Sequence, residues 1–182
     1  MGCCKGKILT ESAAAVLAAL EAGGLKLAFA ESLTGGLLCA EFISVPGASN
    51  VVLGSIVAYQ TGLKHELLGV SRALLENQGA VDAEVVAQMA NGVRTKLAAK
   101  SGLDLAQVIG VATTGVAGPD RQNGIEVGTV FIGISGLGSS AAGSLLASDD
   151  AVYAHHFSGT REEIRTATVR AAVAHLQEHF AS

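Results

Sequence analysis

The sequence predicts an α/β fold: a single-domain three-layer α/β/α sandwich around a mixed β-sheet. Three observations carry that expectation. Apolar, β-branched runs alternate with longer amphipathic segments, the pattern of a sheet covered by helices on both faces. The 182 residues are 49% hydrophobic and only 15% charged, with 23 glycines, 2 prolines and no tryptophan, which suits a compact core and argues against disorder. The last three strand candidates follow one another with no helix between them, so part of the sheet is expected to be antiparallel.

The elements follow in order. Residues 1–7, within MGCCKGKILTES, read as a disordered start, leaving 8–182 as the domain. ESAAAVLAALEAGG reads as a helix capped by Thr10 and stopped by Gly23 and Gly24. LKLAFA is a short buried strand, and TGGLLCAEFISV is helical until Pro46. VVLGSIVAY is β-branched and strand-like. TGLKHELLGV and SRALLENQG are two short helices closed by glycine, and Asp82 caps a long amphipathic helix ending near Gly102. AQVIGVATT, VGTVFIGIS and SLLASDDAVYAHHF are strand candidates, and GTREEIRTATVRAAVAHLQEHF closes the chain as a helix. No repeat, low-complexity linker or second domain is visible.

Charge and composition exclude several classes of function. The net charge of −4 and the lack of a Lys/Arg cluster argue against a nucleic-acid partner. No run of 18 apolar residues spans a membrane, and the amino terminus lacks the apolar core of a secretory signal, so a cytoplasmic location is expected. Three cysteines without metal spacing give neither a disulfide framework nor a zinc site. His175 and His179 lie one helical turn apart with no third ligand and read as a solvated face, while His155 and His156 point to opposite faces of a strand. No metal and no cofactor is expected.

Three stretches carry chemistry. AESLTGG leaves a strand through a Gly-containing turn into a helix, whose first N–H groups favour negative charge. Ser32 and Thr34 add hydroxyls there; either one can equally be a plain helix cap. A serine nucleophile needs a base. Lys64, just past the strand ending at Tyr59, serves if its pKa falls from ~10.4 toward ~7–8 through burial, and the alternative is a solvated lysine at a helix start. In VATTGVAGPDRQNGIEVGTV, a strand ends at two threonines and enters a backbone-permissive turn, the place where α/β sheets put ligand sites. A plain long connection is the alternative there.

Taken in order, AESLTGG, SIVAYQTGLKHELLGV, TTGVAGPD with VGTVFIGI, and FSGTREEIR resemble the CinA C-terminal-domain family, which includes nicotinamide-nucleotide amidases. The likeness runs from about residue 8 to residue 180. It implies hydrolysis of the carboxamide of nicotinamide mononucleotide to nicotinic acid mononucleotide and ammonia. On matching positions the resemblance makes Ser32 the nucleophile, Lys64 its general base and Tyr59 an orienting or proton-relaying group. It assigns Thr113, Thr114 and Gly115 to substrate and Arg161 to the phosphate, with Glu31 as a supporting residue at the turn. The N–H groups near Thr34, Gly35 and Gly36 suit an oxyanion hole, and Arg165 reads as structural, pairing with Glu162.

Two departures from the family pattern bear on substrate preference. Leu33 stands where AESCTGG has cysteine, and RQNGIE, with Arg121 and Glu126, replaces a glycine-rich turn. The pyrophosphatase-type domain of longer relatives is absent from this sequence. The apolar composition suggests a homo-oligomer. A non-catalytic pyridine-nucleotide-binding protein and a competence- or damage-related interaction protein are the alternatives.

Overall fold

The computed structural model describes residues 3–138 and 150–181, with side chains from residue 10 onward. Strands β1 (Lys26–Glu31), β2 (Val52–Val57), β3 (Val108–Gly115), β4 (Thr129–Ser135) and β5 (Asp150–His156) form one sheet in the order β2-β1-β3-β4-β5. β1 pairs in parallel with β2 and β3, whereas β3–β4 and β4–β5 are antiparallel, so the sheet is mixed as predicted. The start of the last strand candidate, before Asp150, lies outside the described residues.

Side-chain alternation along the strands builds two cores. Leu27, Phe29, Ile109, Val111, Ile132 and Ile134 face helices α1 (Cys3–Ala22), α2 (Leu37–Ile43) and α6 (Arg161–Phe180). Ala28, Ala30, Val108 and Ala112 face the opposite layer, α3 (Thr61–Leu68), α4 (Arg72–Gln78) and α5 (Ala83–Ser101). Small residues on that second face let α5 approach closely. A Cβ on Gly110 would sit 2.1 Å from the Ala90 carbonyl oxygen, so any side chain there would push the helix off the sheet.

Caps explain most element ends. Asp82 accepts from the N–H groups of Glu84 and Val85 as predicted, and Thr160 with Glu163 forms a capping box on α6. The amino-terminal helix differs from expectation. It begins at Cys3, taking in residues read as a disordered start, and Thr10 lies inside it rather than at its cap. Only Gly6 weakens the helix before Thr10, and no proline stops it. Thr10 Oγ1 donates instead to Glu41 Oε1 at 3.2 Å, tying α1 to α2.

β1 lies between two parallel neighbours, with α2 on one face and α5 on the other. The connections leaving the carboxyl ends of β1 and β2 therefore diverge to opposite faces, which opens a crevice there.

Candidate active site

The crevice is a cavity of about 250 Å³. Each parallel strand sends one stretch into it. Register places Glu31 beside Val57 on β2 and Thr113 on β3, so the residues that follow each strand converge. Ser32 N–H donates to the Thr113 carbonyl at 3.0 Å and Ala58 N–H to the Glu31 carbonyl at 2.9 Å, continuing both ladders past the strand ends.

Ser32 and Lys64, 32 residues apart in sequence, meet inside the cavity with Lys64 Nζ 3.0 Å from Ser32 Oγ. Lys64 is fully buried. Its amine also donates to the carbonyls of Ala58 at 2.8 Å and Tyr59 at 3.4 Å. A neutral amine has two N–H bonds and one lone pair. The protonated amine donates to Ser32 Oγ; in the neutral form both N–H bonds are spent on carbonyls, the lone pair faces the serine hydroxyl, and Ser32 Oγ–H donates to Nζ. Burial lowers the Lys64 pKa to about 8, because a buried ammonium loses its hydration. Among the described residues no carboxylate pairs with it to restore the charge.

The turn holding Ser32 is braced by groups outside the cavity. Gly35 and Gly36 adopt φ of 59° and 100°, a left-handed conformation that side chains resist. Glu31, buried at the end of β1, turns its carboxylate onto the start of α2. It accepts from the N–H groups of Gly36 at 2.8 Å, Leu38 at 3.1 Å and Cys39 at 2.9 Å, and from Ser55 Oγ at 3.2 Å. The helix mouth read from sequence as an anion site is therefore filled by the protein's own carboxylate. Gly35 N–H is also committed, to the Ser32 carbonyl at 3.2 Å. Within the turn, Leu33 and Thr34 are the residues whose N–H groups carry no hydrogen bond to the described protein.

Two further contacts fix the turn. Thr34 Oγ1 and Thr113 Oγ1 share a buried hydrogen bond of 2.8 Å. Arg165 donates to the carbonyls of Leu33 at 2.8 Å and Thr34 at 3.0 Å, not to Glu162 as its i,i+3 spacing suggests. Nothing in sequence marks a contact across more than a hundred residues.

Of the residues singled out from sequence, Ser32, Tyr59, Lys64, Thr114, Gly115 and Arg161 line the cavity. Glu31, Thr34, Gly35, Gly36 and Thr113 stand behind it. Thr114 Oγ1 donates to the Ala80 carbonyl at 2.6 Å, drawing the Ala80–Val81 segment into the wall. Leu33 is an apolar part of the lining together with Val81 and Val116. In the RQNGIE segment it is Gln122, with neighbouring Asp120, that lines the cavity. Arg121 and Glu126 pair with each other at 2.8 Å on the exposed outer side.

The histidines also differ from expectation. The face of α6 bearing His175 is not solvated but packs on β5, where His155 Nε2 lies 3.0 Å from His175 Nε2. Tyr153 stacks on the His175 ring at 3.6 Å. Among the described residues, no three His, Cys, Asp or Glu side chains group as a metal site, and no helix is long and apolar enough to cross a membrane.

Fold and site define an α/β domain that sets a serine hydroxyl against a buried, uncompensated lysine amine in a cavity at its parallel strand ends. The chain belongs to the CinA C-terminal domain family, whose sequence model matches residues 9–180. A CinA-like protein of Frankia casuarinae is 41% identical over 158 residues, covering 87% of this chain and 32% of that protein. A CinA-like protein of Geobacter metallireducens is 41% identical over 161 residues, covering 87% of this chain and 34% of its own. The chain thus spans about a third of the length of these curated relatives.

Solved structures agree in fold. A competence-damaged protein (CinA) superfamily protein from Klebsiella pneumoniae superposes with a TM-score of 0.79 at 27% identity, over 95% of this chain and 98% of that one. A competence/damage inducible protein from Agrobacterium tumefaciens gives a TM-score of 0.77 at 29% identity, over 94% of each chain.

Proposed function

We propose that this domain is a nicotinamide-nucleotide amidase, hydrolysing nicotinamide mononucleotide to nicotinic acid mononucleotide and ammonia in the cytoplasm. The observation that carries the reading is the Ser32–Lys64 contact at 3.0 Å within a cavity. An amide resists attack, so its hydrolysis needs a positioned nucleophile, a base near neutral pKa and donors for the oxyanion. All three are available here. The cavity of about 250 Å³ lies just below the ~300–1,000 Å³ typical of small-molecule sites and takes a mononucleotide whose phosphate stays at the open mouth, with the Leu33, Val81 and Val116 side chains against the pyridine ring.

The steps follow from the geometry. Ser32 Oγ attacks the carboxamide carbon as its proton passes to Lys64 Nζ. The resulting oxyanion takes hydrogen bonds from the unused N–H groups of Leu33 and Thr34, each donor worth ~2.7–4 kcal/mol of barrier. Lys64 then protonates the departing nitrogen, ammonia leaves, and an ester joins the nicotinoyl carbon to Ser32. A water gives its proton to the neutral Lys64 and attacks the ester. That proton returns to Ser32 Oγ as nicotinic acid mononucleotide departs. Arg161 at the mouth binds the phosphate, for which a guanidinium offers paired donors.

Ammonia release from nicotinamide mononucleotide tests this reading, with wild type beside Ser32→Ala and Lys64→Ala and no added metal. Release that vanishes in both folded variants supports it. A folded wild type that releases none overturns it.

A further inference from the structure

Tyr59 stands on the segment after β2, in the position that family likeness gives to an orienting or proton-relaying group. Its hydrogen bonds point elsewhere. The contact between Tyr59 and the lysine amine is made by the Tyr59 backbone carbonyl, not by its phenol. The phenol extends outward with the residue 58% exposed, and Arg161 Nη2 donates to its oxygen at 2.8 Å. The same guanidinium donates through Nη1 to the Gly118 carbonyl at 2.6 Å. One side chain at the start of α6 thus joins the segments that follow β2 and β3 across the cavity mouth.

We infer that Tyr59 is a positioning residue for the anionic end of the substrate, acting through Arg161 and selecting phosphorylated over unphosphorylated nucleosides. This inference rests on the amidase reading of the same cavity. Arg161 and Lys64 are the basic residues in the lining, and Lys64 is committed to Ser32. A phosphate entering the cavity therefore has Arg161 as its cationic partner. Two contacts hold that guanidinium in place, and a guanidinium carries five N–H donors, so three remain for the ligand. The Tyr59 oxygen accepts from Arg161 and so fixes the direction in which those remaining donors point. The clamp orients the nucleotide with its phosphate at the mouth and its carboxamide toward Ser32.

Tyr59→Phe removes the hydroxyl and keeps the ring. Dissociation constants are measured by calorimetry, and KM and kcat by ammonia release, for nicotinamide mononucleotide and for its phosphate-free riboside. In Tyr59→Phe, binding of the mononucleotide is expected to weaken about five- to tenfold, the scale of a lost hydrogen bond to a charged group, and KM to rise with it. Its kcat stays within about twofold, and the riboside parameters do not move. Arg161→Ala loses more, and adding Tyr59→Phe to it costs nothing further, because the hydroxyl acts through the guanidinium.

A kcat loss of about tenfold or more at unchanged KM would overturn the inference in favour of proton transfer. Equal losses with both ligands would reduce Tyr59 to a purely structural contact and also overturn it. The amidase reading fails separately: if wild type binds the mononucleotide but releases no ammonia, the dissociation constants alone decide, weaker mononucleotide binding by Tyr59→Phe sustaining the clamp and equal binding removing it. A wild type that binds neither ligand overturns both.

Discussion

Lys64 Nζ faces Ser32 Oγ at 3.0 Å, and at the other side of the sheet His155 Nε2 faces His175 Nε2 at the same distance. The two contacts differ in everything else. Lys64 is buried against a cavity and among backbone carbonyls, with its pKa lowered to about 8 by burial alone. The histidine pair is partly open to solvent. Phe157 stacks on His155, Tyr153 stacks on His175, and the Glu178 carboxylate lies 3.2 Å from His175 Nδ1. Burial and the neighbouring His175 charge lower the His155 pKa, which favours the neutral form of the His155 ring. A short distance between a base and its partner is thus not enough for chemistry. The base must also sit beside open volume and face a group whose proton it can take.

Substitutions that break this contrast rank by size. Ser32→Ala removes the nucleophile, and ammonia release is expected to fall by about 10³-fold or more. The folded state persists, as melting and circular dichroism would verify.

Lys64→Met keeps the volume and discards the base, so activity falls to the same floor while stability moves the other way. The wild-type folded state holds the Lys64 proton less tightly than the unfolded chain does. Protonation therefore destabilises the fold fully below about pH 8, and stability recovers as pH rises toward 10.5. A shift of this size corresponds to about 3 kcal/mol, of which Lys64→Met is expected to recover about 1–3 kcal/mol at pH 7, since its lost carbonyl contacts offset part. Urea titrations at pH 7 and pH 10 measure this, and the advantage of the variant should shrink at the higher pH.

Glu31→Gln tests the brace instead of the chemistry. Replacing one acceptor oxygen by a donor leaves backbone N–H groups of α2 unpaired, at a cost of about 2–3 kcal/mol. The midpoint of urea unfolding should fall, with loss of activity following from the loosened Ser32 turn.

His175→Gln is the smallest effect. It should change stability by less than about 1 kcal/mol and leave ammonia release unaltered, because the pair lies outside the cavity. A kcat loss would mean that the two regions communicate and the contrast fails.

The elements were legible where local chemistry fixes them. Apolar, β-branched runs gave the strands, and Asp82 announced its helix with an ordinary cap. Thr10 failed because a capping residue type says nothing when the preceding residues also favour helix. Ser32 and Lys64 were legible as candidates from their places just after strands, but their contact depends on the parallel register of β1 and β2, which no local pattern encodes. Glu31 misled for a related reason: the helix mouth looked empty in sequence, and the carboxylate that fills it belongs to the preceding strand. Arg165 and the Tyr59 phenol join residues more than a hundred positions apart, and only the closed fold reveals them.

The most direct test of the central claim is the pH dependence of kcat/KM for ammonia release from nicotinamide mononucleotide, since this parameter reports the free enzyme. If Lys64 is the base for Ser32, wild-type activity rises through an apparent pKa near 8 to a plateau, and Lys64→Met shows neither the rise nor the plateau. A Lys64→Met variant that retains wild-type activity with the same rise would contradict the account.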